Sequence, residues 1–186
     1  MRAAFSRLCA VALIGVIAWK AYECSAPVGA LLRAREGRAF ERTPNSVASA
    51  LRVVADTGSG SPAVSRLVQS PSIVFVYHSG CSACARTMAA WAHLARQARS
   101  EHPEIGVFAL SVEPFALQRS YWGPLSAIGV RLLQLTDTVG LESAAGTRTV
   151  PATLVLRDGR VVSVHRGIVG PRGQARILRL LAGGPV

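Results

Sequence analysis

Residues 73–84 read IVFVYHSGCSAC, and the character of the chain changes inside that stretch. Ile73 to Tyr77 is β-branched and aromatic, bounded by Pro71 on one side and Ser79-Gly80 on the other. A short apolar run closed by turn residues predicts a buried strand. From Cys81 to Ser100 the spacing becomes helical. Cys84, Met88, Trp91 and Ala95 fall on one stripe at i, i+4, i+7 and i+11. A strand that runs straight into C-x-x-C and then into a helix places Cys81 at the helix N-terminus. Unpaired backbone N–H groups and the helix dipole favour an anion there, so the Cys81 thiolate is expected to be stabilised. Cys84, nearly one turn later on the apolar stripe, is expected to be more buried and less acidic. One exposed nucleophile and one shielded resolving thiol is the arrangement that thiol–disulfide exchange requires.

Other uses of the pair fit less well. A structural zinc takes four ligands, and adding His78 to the single C-x-x-C gives three at odd spacing. Covalent haem needs His after the second Cys, where Ala85 stands. No metal or separate cofactor is expected; the redox group is the Cys81–Cys84 disulfide itself. A purely structural disulfide remains the other reading. His78 before the pair and Arg86 after it are candidates for electrostatic tuning of Cys81.

Working outward, Ile105 to Val112 (IGVFALSV) predicts a second buried strand, and Pro114 to Ile128 a helix broken near Gly123-Pro124. Val130 to Leu135 follows as a third strand and Thr138 to Ala145 as a short helix. Thr153 to Arg157 and Val161 to His165 flank Asp158-Gly159, a strong two-residue hairpin turn. Ala175 to Leu181 closes the chain as an amphipathic helix. Strands joined by helices should be parallel and the final hairpin antiparallel. The expected fold class is therefore α/β, a mixed sheet with helices on both faces.

Upstream, Arg2 and Arg7 precede LCAVALIGVIAW (residues 8–19), with Lys20 and Tyr22 after it. A basic start and an apolar run spell an export signal or signal-anchor over residues 1–22. Twelve apolar residues are short for a span, but Arg7 and Lys20 can snorkel. An uncleaved anchor is favoured over a cleaved signal, because small-x-small cleavage sites are poorly supplied. The catalytic part would then lie on the extracytoplasmic side of an inner membrane. Residues 23–61 read as a linker, with a helix opening at Thr43-Pro44 and running to Asp56 on the strength of Val47, Leu51 and Val54. Residues 62–186 read as the folded domain. Of the four cysteines, Cys9 and Cys24 are bystanders. The net charge of +11 is almost all arginine, Lys20 being the sole lysine. Arginines such as Arg96, Arg172, Arg176 and Arg179 are scattered along the chain, without a dense basic run or an aromatic platform, so nucleic-acid binding is not expected.

IVFVYHSGCSAC, IGVFALSVE and TVPATLVLRDGRVVSVHRG together resemble the thioredoxin superfamily, over roughly residues 62–181. The branch they look most like is the membrane-anchored thioredoxin-like reductases of the TlpA and ResA type. The resemblance implies a cis proline facing the C-x-x-C, matched by Pro151, with Val150 presenting backbone groups to a substrate peptide. It implies exported cysteine-containing proteins as partners, cytochrome c apoproteins among them, and a membrane electron donor or acceptor. Three departures stand out. The family's Trp before the first Cys is replaced by His78-Ser79-Gly80. The buried Asp of thioredoxin falls at Phe75, and the Glu of the ResA type at Thr87. Glu113, at the end of a central strand, is the candidate substitute for the missing acid. A non-catalytic binding or assembly module with a static bridge is the alternative that these departures favour.

Overall fold

The structure, a computed structural model, describes residues 40–41, 46–47, 51, 53–55 and 71–184. Its elements in chain order are β1 (Phe40–Glu41), β2 (Ser46–Val47), β3 (Val53–Ala55), β4 (Ser72–Tyr77), α1 (Ser82–Glu101), β5 (Gly106–Ser111), α2 (Phe115–Ser126), β6 (Arg131–Leu135), α3 (Thr138–Ala145), β7 (Ala152–Arg157), β8 (Arg160–Arg166) and α4 (Pro171–Leu181). The strands form one mixed sheet in the order β1-β8-β7-β4-β5-β6-β3, with β2 also paired to β8. β4, β5 and β6 are mutually parallel; β7 is antiparallel to β4, and β8 to β7.

Why IVFVY carries no polar alternation is plain from its burial: every residue of β4 is buried. Ile73, Phe75 and Tyr77 enter one apolar cluster with α1 and α4, while Val74 and Val76 enter a second one with α3. A strand covered on both faces has no solvent side on which a polar residue would be tolerated. The same split recurs in β5, where Val107 and Ala109 face the first cluster and Phe108 and Leu110 the second. The β7–β8 hairpin turns at Asp158 and Gly159 with φ of 52° and 70°, the two left-handed residues that a type I′ turn requires. Asp137 caps α3 by accepting the Val139 N–H at 2.8 Å.

Two expectations are corrected. The helix expected from Thr43 to Asp56 is replaced by strands: β2 pairs with β8, Ser46 opposite Val161, and β3 with β6, Val53 opposite Leu135. Val47, Leu51 and Val54 do have helical spacing. However, Leu51 and Val53 are fully buried while Val54 is half-buried, which is the period of a strand. β-branched residues beside the open edges of β6 and β8 gain a backbone ladder that a short helix would not supply. The sheet thus takes in residues ahead of Pro62, where the folded domain was expected to begin. The second correction is at Pro124, which sits inside α2 without breaking it. A proline costs the helix one N–H bond in the turn before it and leaves the turn after it intact, and here Ala127 N–H bonds Gly123 O at 3.1 Å.

Residues 1–22, Cys9 and Cys24 lie outside the described residues. Among the described residues no helix is long and apolar enough to cross a membrane.

Candidate functional site

The strand senses bring the C-terminal ends of β4, β5, β6 and β8 and the start of β7 to one edge of the sheet. Cys81 sits on that edge. The chain leaves β4 at Tyr77, turns through His78-Ser79-Gly80, and enters α1 with Cys81 as its N-cap at φ −90°, ψ 107°. The Cys81 Sγ accepts the Cys84 N–H at 3.1 Å, the role that a Ser or Asp oxygen usually fills. It is half-exposed. Cys84 is fully buried behind it. Burial pushes the Cys84 thiol up to about 12, helped by its hydrogen bond to Cys81 and by the proximity of that second sulfur, against the pull of the His78 backbone. The two thiols therefore differ in access, and Cys84 is the shielded one, as its place on the helical stripe led one to expect.

Opposite the sulfur stands the segment before β7. The Val150–Pro151 bond is cis. Val150 O lies 3.9 Å from Cys81 Sγ and accepts from it. Pro151 is buried, and its carbonyl accepts the Gly167 N–H at 2.8 Å, which ties this segment to the end of β8. Cys81, Val150 and Pro151, 69 residues or more apart in the chain at their ends, thus meet at one place.

Glu113 enters the same edge from the end of β5. One carboxylate oxygen accepts the Ser79 N–H at 2.6 Å; the other accepts the Ser79 hydroxyl at 2.7 Å and lies 3.5 Å from His78 Nε2. The His78 Nδ1 accepts the Gly80 N–H at 3.1 Å. Glu113 thus clamps the loop that delivers Cys81. Burial alone would raise the Glu113 carboxyl, but the Ser79 bonds, the His78 ring and Ser111 outweigh it and hold the pKa below the usual value. Ser79 was not singled out from the sequence. Its partner is 34 residues away, and nothing local marks it. Arg86 is exposed on the first turn of α1.

The clamp gives a prediction. Glu113→Gln removes the charged acceptor: the amide oxygen can still take the Ser79 N–H, but the amide N–H reverses the bond to the Ser79 hydroxyl, and the charge facing His78 is lost. It should cost about 1–3 kcal/mol in urea unfolding at neutral pH. Because the folded Glu113 pKa is lowered, its contribution is present above the ordinary carboxylate range and lost as the pH falls through the folded value. The gap between wild type and variant should accordingly shrink in acid.

Thr87 and Phe75 occupy the two positions where the family resemblance leads one to look for an acid. Phe75 is buried and stacks on Trp91, ring centroids 5.0 Å apart. Thr87 is fully buried on α1, and its hydroxyl has no hydrogen-bond partner among the described residues. A buried unsatisfied hydroxyl destabilises the fold. Thr87→Val keeps the shape and removes that cost, so it should raise the unfolding free energy by about 1 kcal/mol, read from the urea midpoint.

The fold has solved counterparts. A thiol:disulfide interchange protein from Bacteroides sp. superposes with a TM-score of 0.57 at 12% identity, over 77% of this chain and 92% of that one. The thioredoxin domain of a thiol-disulfide oxidoreductase from Bacteroides vulgatus gives 0.57 at 14% identity, over 76% and 99%. The MTB protein dsbF, seen in mixed oxidized and reduced forms, gives 0.52 at 16% identity, over 73% and 99%. No family model matches the sequence, and no curated protein matches it. The fold is thioredoxin-like.

Proposed function

We propose that the chain is a membrane-tethered thiol–disulfide oxidoreductase acting outside the cytoplasm on exported cysteine-containing proteins. One observation carries the reading: a half-exposed Cys81 sulfur capping α1, with a buried Cys84 behind it and the Val150 carbonyl beside it. In the reducing direction, the Cys81 thiolate attacks one sulfur of a client disulfide. That S–S bond breaks and one client thiolate leaves, forming a mixed disulfide. Cys84 then loses its proton and attacks the Cys81 sulfur. The intramolecular disulfide forms, the second client thiolate departs, and two electrons have passed from the pair to the client. Two of the causes that raise Cys84 are Cys81 itself, as hydrogen-bond partner and as charge. Both disappear once the Cys81 sulfur is locked in a mixed disulfide, so Cys84 becomes easier to ionise when it must attack. A membrane-bound dithiol donor is the class of partner that restores the reduced pair.

The tether and the compartment rest on Arg2, Arg7 and the apolar run at residues 8–19. By fold analogy cytochrome c apoproteins are one client class. A static thioredoxin-like module is the second reading, favoured by Phe75 and Thr87 where related chains are expected to carry acids. The deciding assay is reduction of insulin or glutathione disulfide by the full chain in detergent, since β1 to β3 belong to the sheet. Wild type should reduce both and Cys81→Ser neither; equal behaviour of the two sinks the oxidoreductase reading.

A further inference from the structure

The arginines that look scattered in the sequence converge in the fold. α1 and α4 lie side by side on one face of the sheet, contributing to the same core cluster and joined by Gln174, which donates to Ala90 O at 3.5 Å and meets His93 at 3.1 Å. Between them these helices carry six arginines and one acid, Glu101, in the last turn of α1. Arg86 and Arg96 on α1 and Arg172, Arg176 and Arg179 on α4 are all exposed. Their spacing, i and i+10 on one helix and i, i+4 and i+7 on the other, keeps each set on its helix's outer side. The other exposed residues of the two helices are Ser82, Ala85, Ala89, His93, Ser100, Pro171 and Ala175, besides Glu101, and none is a large hydrophobic.

We propose that this α1–α4 face docks on an anionic lipid surface. Charge selects an anionic partner. The absence of any apolar anchor selects the class. A protein interface is organised around a buried aromatic or aliphatic core, yet the exposed large hydrophobics among the described residues, Leu117, Val139 and Ile168, all lie off these two helices. A nucleic-acid strand would call for aromatic platforms, which the face also lacks. Arginine-rich and free of exposed large hydrophobics among the described residues, it fits a headgroup layer, where each cation near the surface adds to binding. The choice of lipid over an acidic protein also rests on the tethered part of the proposed function, because a tether keeps the face within reach of headgroups. The consequence is orientation. With α1 lying along the membrane, its N-terminal end, and so Cys81, opens sideways in the plane of the bilayer surface, level with membrane-bound partners.

The test uses the full chain reconstituted into vesicles of phosphatidylcholine, alone or with phosphatidylglycerol. A photo-crosslinking p-benzoylphenylalanine replaces Ala89 or Ala175, and, as a control on α3 across the sheet, Ser143. Lipid adducts at Ala89 and Ala175 are expected to be at least about tenfold more abundant on the anionic vesicles. They should fall by a similar factor in half-molar salt and in the Arg96→Glu/Arg172→Glu/Arg179→Glu variant. The milder Arg→Gln triple replaces that variant if its circular dichroism departs from wild type. Adducts that are equal on neutral vesicles, equal at Ser143 or indifferent to charge reversal overturn the proposal. So does transfer of the adducts to added poly-glutamate, which would mark an acidic protein as the partner. Flotation on neutral vesicles reports on the tether separately. A chain that fails to float contradicts tethering, while its binding to anionic vesicles from solution still tests the face.

Discussion

Cys84→Ser should turn the chain into a trap that accumulates mixed disulfides with its clients through Cys81. The half-exposed Cys81 sulfur keeps its place as the α1 cap, because what holds it is the residue-84 backbone N–H, which serine retains. The first attack therefore proceeds. The second does not, because the only other thiol among the described residues has gone. Turnover in the insulin assay should fall by at least about a thousandfold, since the resolving step is then left to solution thiols. Non-reducing gels of cells expressing the variant should show high-mass adducts that collapse on reduction and are absent from Cys81→Ser. A static bridge predicts the opposite: neither variant captures anything, and both lose only stability.

Trp91→Ala should be the most damaging substitution away from the cysteines. Trp91 is fully buried, stacks on Phe75, and donates its indole N–H to the Thr153 hydroxyl at 2.9 Å. Phe75 and Thr153 are register partners on β4 and β7, so one side chain pins α1 across both strands that carry the site. Removing it leaves a cavity and a buried hydroxyl without its donor, at a cost of about 3–5 kcal/mol. Against a typical stability of roughly 5–15 kcal/mol, that is a large share. Urea unfolding should show the loss directly. Trp91→Phe, which keeps a ring over Phe75 but not the N–H, should cost less than half as much.

What the sequence made legible was whatever has a local cause. IVFVY reads as a buried strand because both faces of β4 are covered, so no position is free to be polar. Asp158-Gly159 reads as a turn because the type I′ geometry needs two left-handed residues, and these two adopt them readily. The C-x-x-C reads as a strand–helix junction for the same local reason, whereas Val150-Pro151 stands out only through the family resemblance; the fold sets the Val150 carbonyl 3.9 Å from the Cys81 sulfur. What stayed illegible depends on partners far along the chain. β1 and β2 have two residues each and β3 has three, too few for any periodicity; they exist because the edges of β6 and β8 are there to be paired. The Ser79 clamp needs Glu113, brought alongside by the parallel pairing of β4 with β5. The arginine face needs two helices distant in sequence to lie side by side.

Exchange through Cys81 requires two unequal sulfurs, and pulsed alkylation of the reduced full chain measures their inequality most directly. Iodoacetamide is added for graded times at neutral pH, and the peptides holding Cys81 and Cys84 are resolved by mass spectrometry with fragmentation. With Cys84 buried and its pKa pushed up to about 12, almost none of it is thiolate under these conditions. Cys81 should be modified first, and Cys84 should stay unreacted until the chain is unfolded. Equal labelling of the two, or earlier labelling of Cys84, would contradict the assignment of Cys81 as the attacking thiol.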